Sequence, residues 1–174
     1  MVVNRSEFRD LMGSPRITDV FAIVVRYLRE RDAEAFVRKK LLGYDPSHGW
    51  MHTERVLENA TELALECGAD VEVVRLAAIF HEVERPRGVE QHAERGAEVA
   101  RSFLGNRLES DRVEKVVRAI ASHHKKAEEL VEVEEMVLWD ADKLDALGPI
   151  GLARCLLEAG WLGQGIEEAL RHYQ

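Results

Sequence analysis

Across nearly the whole chain, apolar residues return at intervals of three and four, and no stretch shows the strict alternation of a half-buried strand. A chain patterned this way must bury its apolar surface by packing helix on helix, so the expected fold is all-α, a compact helical bundle. Its 174 residues suit one sizeable core better than two. No repeat, low-complexity stretch or linker interrupts it, and residues 1–174 are expected to form a single domain, with N-terminal helices in 1–42 and a core over 45–160.

Helix signals divide the pattern. A first helix is predicted from near Pro15, capped by Ser14, to about Arg31, with Val20, Ile23, Val24, Tyr27 and Leu28 on its apolar face. A short second helix, Ala33 to Leu42, would end at Gly43, and Tyr44 to Ser47 reads as a turn. The third runs from His48 to Cys67, stopped by Gly68, with Val56, Leu57, Ala60, Leu63 and Ala64 as its core stripe. Asp70 caps the fourth, whose Val73, Val74, Ala77, Ala78 and Phe80 lead to Glu82 before Arg85-Pro86-Arg87-Gly88 breaks it. Further helices are expected over His92–Leu104, Ser110–His124, Glu134–Leu147, Pro149–Ala159 and Gly163–Tyr173.

The charge balance excludes some functions. Net charge is −8 with both signs interspersed, which is not the concentrated positive face of a nucleic-acid groove. A small anionic substrate remains compatible, because a metal ion reverses the local field of one pocket. No apolar run approaches the roughly 20 residues of a membrane span. No apolar core with a small-residue cleavage site follows Arg5, so a cytoplasmic protein without a secretory signal is expected. Cys67 and Cys155 are far apart in apolar helical contexts and read as small buried thiols of a reducing compartment.

Three segments carry chemistry. His81-Glu82 ends an otherwise apolar helix, which either places two ligands at the core or leaves a structural histidine bonded to a carbonyl beside a solvated carboxylate. In His48-Gly-Trp-Met-His52-Thr-Glu-Arg55, the two histidines share a helix face, as ligands or as exposed residues of a polar helix start. Arg55 lies beside that face, placed to pair with a ligating carboxylate or to hold helix ends together, and Trp50 reads as a packing anchor. In Leu138-Trp-Asp140-Ala-Asp142-Lys143-Leu-Asp145-Ala-Leu147, three aspartates and a lysine interrupt an apolar helix, costly to bury unless the charges meet cations. Asp140 and Asp142 differ by about 200° around the helix and Asp142 and Asp145 by about 60°, so Asp142 is the inward ligand with Asp145 as neighbour, and Asp140 is left as a helix cap. Nitrogen and oxygen donors without thiolates suit Mn, Fe, Ni, Co, Mg or Zn rather than a zinc knuckle.

The order histidine, His-acid, distant aspartate resembles the HD-domain superfamily of metal-dependent phosphohydrolases, and more narrowly its small stand-alone microbial members. The matching segments are His48 to Val56, Leu76 to Glu82, Ala119 to His123, and Asp140 to Arg154, a likeness covering about residues 45 to 160. The resemblance implies an HD-type helical domain holding one divalent metal ion through His52, His81, Glu82 and Asp142. It puts His123 near the site, against substrate phosphate or a second metal, His48 at the pocket rim, and Arg85 in the region where some members place a basic residue. The family's defining aspartate is Glu82 here. Glutamate keeps the charge, but its extra methylene moves the oxygen by roughly one bond length, against a ligand-distance tolerance of ~0.2 Å.

The activity this implies is metal-dependent hydrolysis of a phosphoester or phosphoanhydride, in a nucleotide or related small molecule, with His48, Arg85 and His123 as the catalytic candidates. The same residues admit two alternatives. His92 and His123 fall between the second and last motifs, where some HD proteins place ligands for two iron ions and activate oxygen; His92 otherwise reads as a surface residue of a polar loop. Glu82 alternatively marks a catalytically reduced module that binds a nucleotide. The expected partners are a small phosphorylated substrate and, through Val20, Ile23 and Val24, a second copy of the chain in a homodimer.

Overall fold

The ten residues VEVVRLAAIF, from Val71 to Phe80, are apolar on almost every side, so no orientation of this helix can face water and other elements must surround it. In the computed structural model, which describes residues 17–87 and 90–173, that is its position: Val73, Val74, Leu76, Ala77, Ala78, Ile79 and Phe80 are wholly buried. The described residues form eight α-helices and two short 3-10 turns, with no strand among them. They are α1 (Ile17–Lys40), α2 (Trp50–Cys67), α3 (Val71–Phe80), α4 (His92–Leu104), α5 (Ser110–Ser122), α6 (Val133–Leu144), α7 (Gly148–Trp161) and α8 (Ile166–Tyr173). Helices α2, α4, α5 and α6 pack around α3, and α7 packs on α8. The all-helical architecture expected from periodicity is the one that forms.

Small residues set how closely the helices approach. Ala60 and Ala64 of α2, Ala97 and Ala100 of α4, Ala119 of α5 and Ala141 of α6 all face the core with Val56, Leu104, Val116, Ile120 and Leu138. Phe36, Phe80 and Phe103 fill a corner of it, with ring centroids 5.2 to 6.2 Å apart. Gly151 marks the tightest approach: a Cβ there would lie 1.9 Å from the Ala146 carbonyl oxygen, so only glycine lets α7 turn so sharply off the end of α6.

The chain divides into two compact units, residues 1–32 and 33–174. In the first unit, Val20, Ile23, Val24, Tyr27 and Leu28 are exposed. The expected break between two N-terminal helices is absent, and Ile17–Lys40 is continuous. The reason is local: Arg29-Glu-Arg-Asp-Ala-Glu-Ala35 contains neither glycine nor proline, and nothing in it competes with helix. The Ser14 cap and Pro15 start lie outside the described residues. Asp140 does not cap a helix start; it lies two turns inside α6 and is exposed. Both cysteines are free thiols, but Cys67 is exposed, on the outward side of α2, and Cys155 is half-buried against α8, where its Sγ donates to the Ala169 carbonyl at 3.1 Å. No helix of the described residues is long and apolar enough to cross a membrane.

Asp70 secures the start of the central helix. Its carboxylate accepts from the backbone N–H groups of Glu72 and Val73, and Arg112 of α5 donates to it at 2.6 and 2.9 Å. Asp70→Ala is expected to cost about 1–2 kcal/mol through the lost cap, and Asp70→Asn clearly less, because asparagine caps as well as aspartate. Urea denaturation of the two variants checks this; equal losses would mean that the Arg112 pair, not the cap, holds the helix start.

Candidate metal centre

Three helices end at one place. His81 follows α3, His123 follows α5 and Asp145 follows α6, each in the cap position. The last carbonyls of a helix have no intrahelical donor. His81 Nδ1 donates to the Ala78 carbonyl at 2.7 Å and His123 Nδ1 to the Ile120 carbonyl at 2.6 Å, three residues back in both cases. Burial holds both imidazoles neutral by pushing their pKa values down to about 3. A neutral ring carries one N–H, so each is left with a bare lone pair on Nε2.

His52, in the first turn of α2, presents the same atom by other means. Its Nδ1 lies 2.7 Å from Asp145 Oδ2, a pure acceptor, so that nitrogen carries the proton and Nε2 does not. His52 Nε2 stands 3.1 Å from His81 Nε2 and 3.4 Å from Asp142 Oδ1. Two bare nitrogens at that separation repel each other and cannot share a hydrogen bond. A cation that both donate to removes the conflict, and the nitrogen and oxygen donor set suits a divalent ion. Burial pushes the Asp142 carboxyl up, but His81, Lys143 and His52 outweigh it and hold the group below the usual carboxylate range. Lys143 reaches Asp142 Oδ2 at 2.9 Å, leaving Oδ1 toward the imidazoles.

A second donor group adjoins the first. His92, His123 and His124 can each turn one ligand atom to a common point. His92 Nε2 lies 2.5 Å from His124 Nε2, and the His123 ring is 5.4 Å from that of His81. His123 Nε2 is buried without a hydrogen-bond partner. Glu82 is buried between the groups. Its Oε2 lacks a hydrogen-bond partner, with His92 Nε2 at 3.6 Å, and its Oε1 lies 3.7 Å from Arg85. Burial raises its pKa to about 8, against the pull of Arg85.

Asp45, His48 and Glu158 make a third group at the other end. His48 Nδ1 faces Asp45 Oδ2 at 3.0 Å and its Nε2 accepts from Arg85 at 3.3 Å, while Arg85 also reaches Glu158 at 3.2 Å. Burial, then the nearby Arg85, push His48 down to about 4.

The structure thus brings His52, His81 and Asp142 to one point, and sets Glu82 closer to His92 than to that group. His48 and Arg85 sit beside it, joined to each other, and His123 lies inside the second group. His92 is buried and not a surface loop residue. Arg55 pairs with Asp145 and not with Asp142, through Nε at 2.5 Å and Nη2 at 2.9 Å. Sequence reasoning missed His124, although it follows His123 at the end of the apolar run Val116, Val117, Ala119, Ile120. It gave Arg154 no role, yet this residue donates to the Ser47 carbonyl and lies 3.1 Å from Asp145. No pattern singled out Asp45, which lies in a turn two and three residues from its partners Ser47 and His48, or Glu158, whose partners Arg85 and His48 are remote in sequence.

A family model described as the HD domain matches residues 49–147. The chain belongs to the HD domain family. It is 34% identical to a predicted HD superfamily hydrolase from an uncultured Thermotogales bacterium, whose crystal structure superposes with a TM-score of 0.65 over 82% of each chain. It is 29% identical over 136 residues to the uncharacterized protein YpgQ of Bacillus subtilis, covering 75% of this chain and 66% of YpgQ, just under two thirds. A YpgQ structure in complex with ADP superposes with a TM-score of 0.68 at 24% identity, covering 86% of this chain and 77% of that one, which shows a common fold. Ribonuclease Y of Cutibacterium acnes is 38% identical over 104 residues, 58% of this chain but only 18% of the ribonuclease.

Mn2+ or Zn2+ at 100 times its dissociation constant is expected to stabilise the protein by about 2.7 kcal/mol, the linkage value for one site. Asp142→Ala should abolish most of the accompanying rise in Tm in a calorimetric scan. An undiminished rise would remove Asp142 from the ligand set.

Proposed function

We propose that this HD-family chain is a metal-dependent phosphohydrolase acting on a nucleotide or a related small phosphoester or phosphoanhydride, working as one HD-type domain. One observation carries the reading: the bare Nε2 atoms of His52 and His81 face each other at 3.1 Å beside Asp142, an arrangement that a cation relieves. In this reading His52, His81 and Asp142 hold the ion, with Glu82 as a fourth donor at its edge. A divalent ion bound there supplies Lewis acidity toward a phosphoryl oxygen. Arg85 stands at the rim with His48, its guanidinium directed to bind and orient phosphate oxygens once it leaves Glu158. The neutral His48 ring, held through Nδ1 by Asp45, keeps Nε2 toward the same place to accept or deliver a proton. The ADP bound in the YpgQ complex supports a nucleotide as the substrate class. The apolar face of Val20, Ile23 and Val24 is proposed as the homodimer surface, which light scattering tests.

A dinuclear-iron, oxygen-activating centre is the second reading, favoured by the buried His92 and His123 and the exposed His124 beside the first group. Metal analysis separates the two: one ion per chain removes the iron reading, and two irons with oxygen consumption support it.

Protein loaded with Mn2+, Co2+, Ni2+ or Mg2+ is expected to release phosphate or pyrophosphate from a panel of nucleoside mono-, di- and triphosphates. Asp142→Ala should lower kcat/KM by about two orders of magnitude or more, the scale set by loss of the ion. A panel left untouched under every metal sinks the hydrolase reading.

A further inference from the structure

The three histidines that present Nε2 are not held alike. His81 and His123 end helices, where a free carbonyl three residues back accepts their Nδ1–H. His52 begins a helix, where the Gly49 carbonyl already accepts from the His52 and Thr53 backbone N–H groups. Its ring has no local acceptor of that kind and is held by a carboxylate 93 residues away.

We infer that Asp145 is a positioning residue for the metal centre: clamped by Arg55 and Arg154, its carboxylate fixes the His52 ring as the Nδ1–H form and thereby aims Nε2 at the site. This rests on the metal-dependent reading of the site and deepens it.

The clamp is built from every side. Arg55, one turn along α2 from His52, donates to both carboxylate oxygens, at 2.5 and 2.9 Å. Arg154 of α7 approaches Oδ2 at 3.1 Å while donating Nε to the Ser47 carbonyl at 2.8 Å. Asp145 therefore has no freedom to rotate away from His52. Donors from Arg55, Arg154 and His52 converge on its two oxygens, so both serve as acceptors. A carboxylate accepts but cannot donate, which forbids the wrong tautomer, and it makes the imidazole a stronger donor to a cation. Helix α6 thus offers Asp142 directly and orients a second ligand from its cap position, one turn later.

Two measurements on the full chain test this. Long-range proton–nitrogen correlation spectra of the 15N-labelled, metal-free protein report each histidine's tautomer. Mn2+ affinity is read by competition with a chromogenic chelator. In the wild type, His52 is expected protonated on Nδ1. In Asp145→Asn, which can turn its amide toward the ring, the Nε2–H form should appear for His52 while His81 keeps its signal. Mn2+ affinity should fall about 10- to 100-fold. Arg154→Gln should give a smaller loss in the same direction. Nε2–H on wild-type His52 overturns the proposal, as does Mn2+ affinity within twofold of wild type in a folded Asp145→Asn. If that variant does not fold, unchanged affinity and an unchanged His52 signal in Arg154→Gln overturn it. A wild type that binds no Mn2+ would defeat the metal reading alone, because the tautomer and its switch in Asp145→Asn are read without metal.

Discussion

The burial of α3 is the constraint on which the molecule depends. A ten-residue helix whose only polar residues are Glu72 and Arg75 must be covered on almost every side, and the four helices that cover it are fixed in position by that demand. Its C-terminal end is therefore buried as well, and the chain beyond Phe80 enters a closed, low-dielectric space. The first two residues to do so are His81 and Glu82. Burying such a pair is expensive unless every polar atom finds a partner, and the neighbouring helices arrive at the same level with polar residues of their own. The packing of apolar surface and the convergence of donors are thus one event.

How the polar atoms are satisfied explains why the site is poised for a cation. Each helix end needs donors for its last carbonyls, and a histidine in the cap position supplies one from Nδ1 while turning Nε2 outward from the helix. His81 and His123 both do this, with the same three-residue offset. Desolvation keeps the rings neutral, so the outward nitrogens are acceptors with nothing to accept from in the protein alone. Around them, charge is balanced in pairs: Asp142 with Lys143, Asp145 with Arg55 and Arg154, Arg85 with Glu158 and Glu82. At Asp142 the cation is held on Oδ2, and Oδ1 faces the imidazoles.

Much of this is legible in the sequence, for specific reasons. The all-helical fold is readable because an apolar period of three and four repeats through the chain. Asp142 is readable as the inward aspartate because rotation around a helix separates it from Asp140 by half a turn, and the structure leaves Asp140 exposed. The continuity of α1 is easily misread because Asp32 lies at a shift in pattern, although no residue there disfavours helix. The exposure of Cys67 escapes the sequence because residue type carries no information on which side of a helix faces out. His92 reads as a loop residue because Arg85-Pro86-Arg87-Gly88 signals surface; the chain returns to the core at Gln91, whose φ of +56° turns it inward before α4. Arg154 and Glu158 are invisible because their meaning lies in partners on other elements, and Asp45 because a turn aspartate looks the same whether or not it holds a histidine.

Glu82 shows how a one-carbon difference is read in place. The motif that this segment resembles has aspartate at this position, and the chain here reaches one methylene farther. That reach, about 1.5 Å, is what brings Oε2 to 3.6 Å from His92 Nε2 while Oε1 stays near Arg85. An aspartate on the same backbone would draw its oxygens back toward His81 and away from the second group. The longer side chain therefore ties the two donor groups together, at the cost of burying a carboxyl far from water. Burial lifts the group to about 8, and Arg85 only partly offsets that lift. The longer side chain meets His92 in position, while its buried carboxyl has Arg85 to offset part of the loss of water.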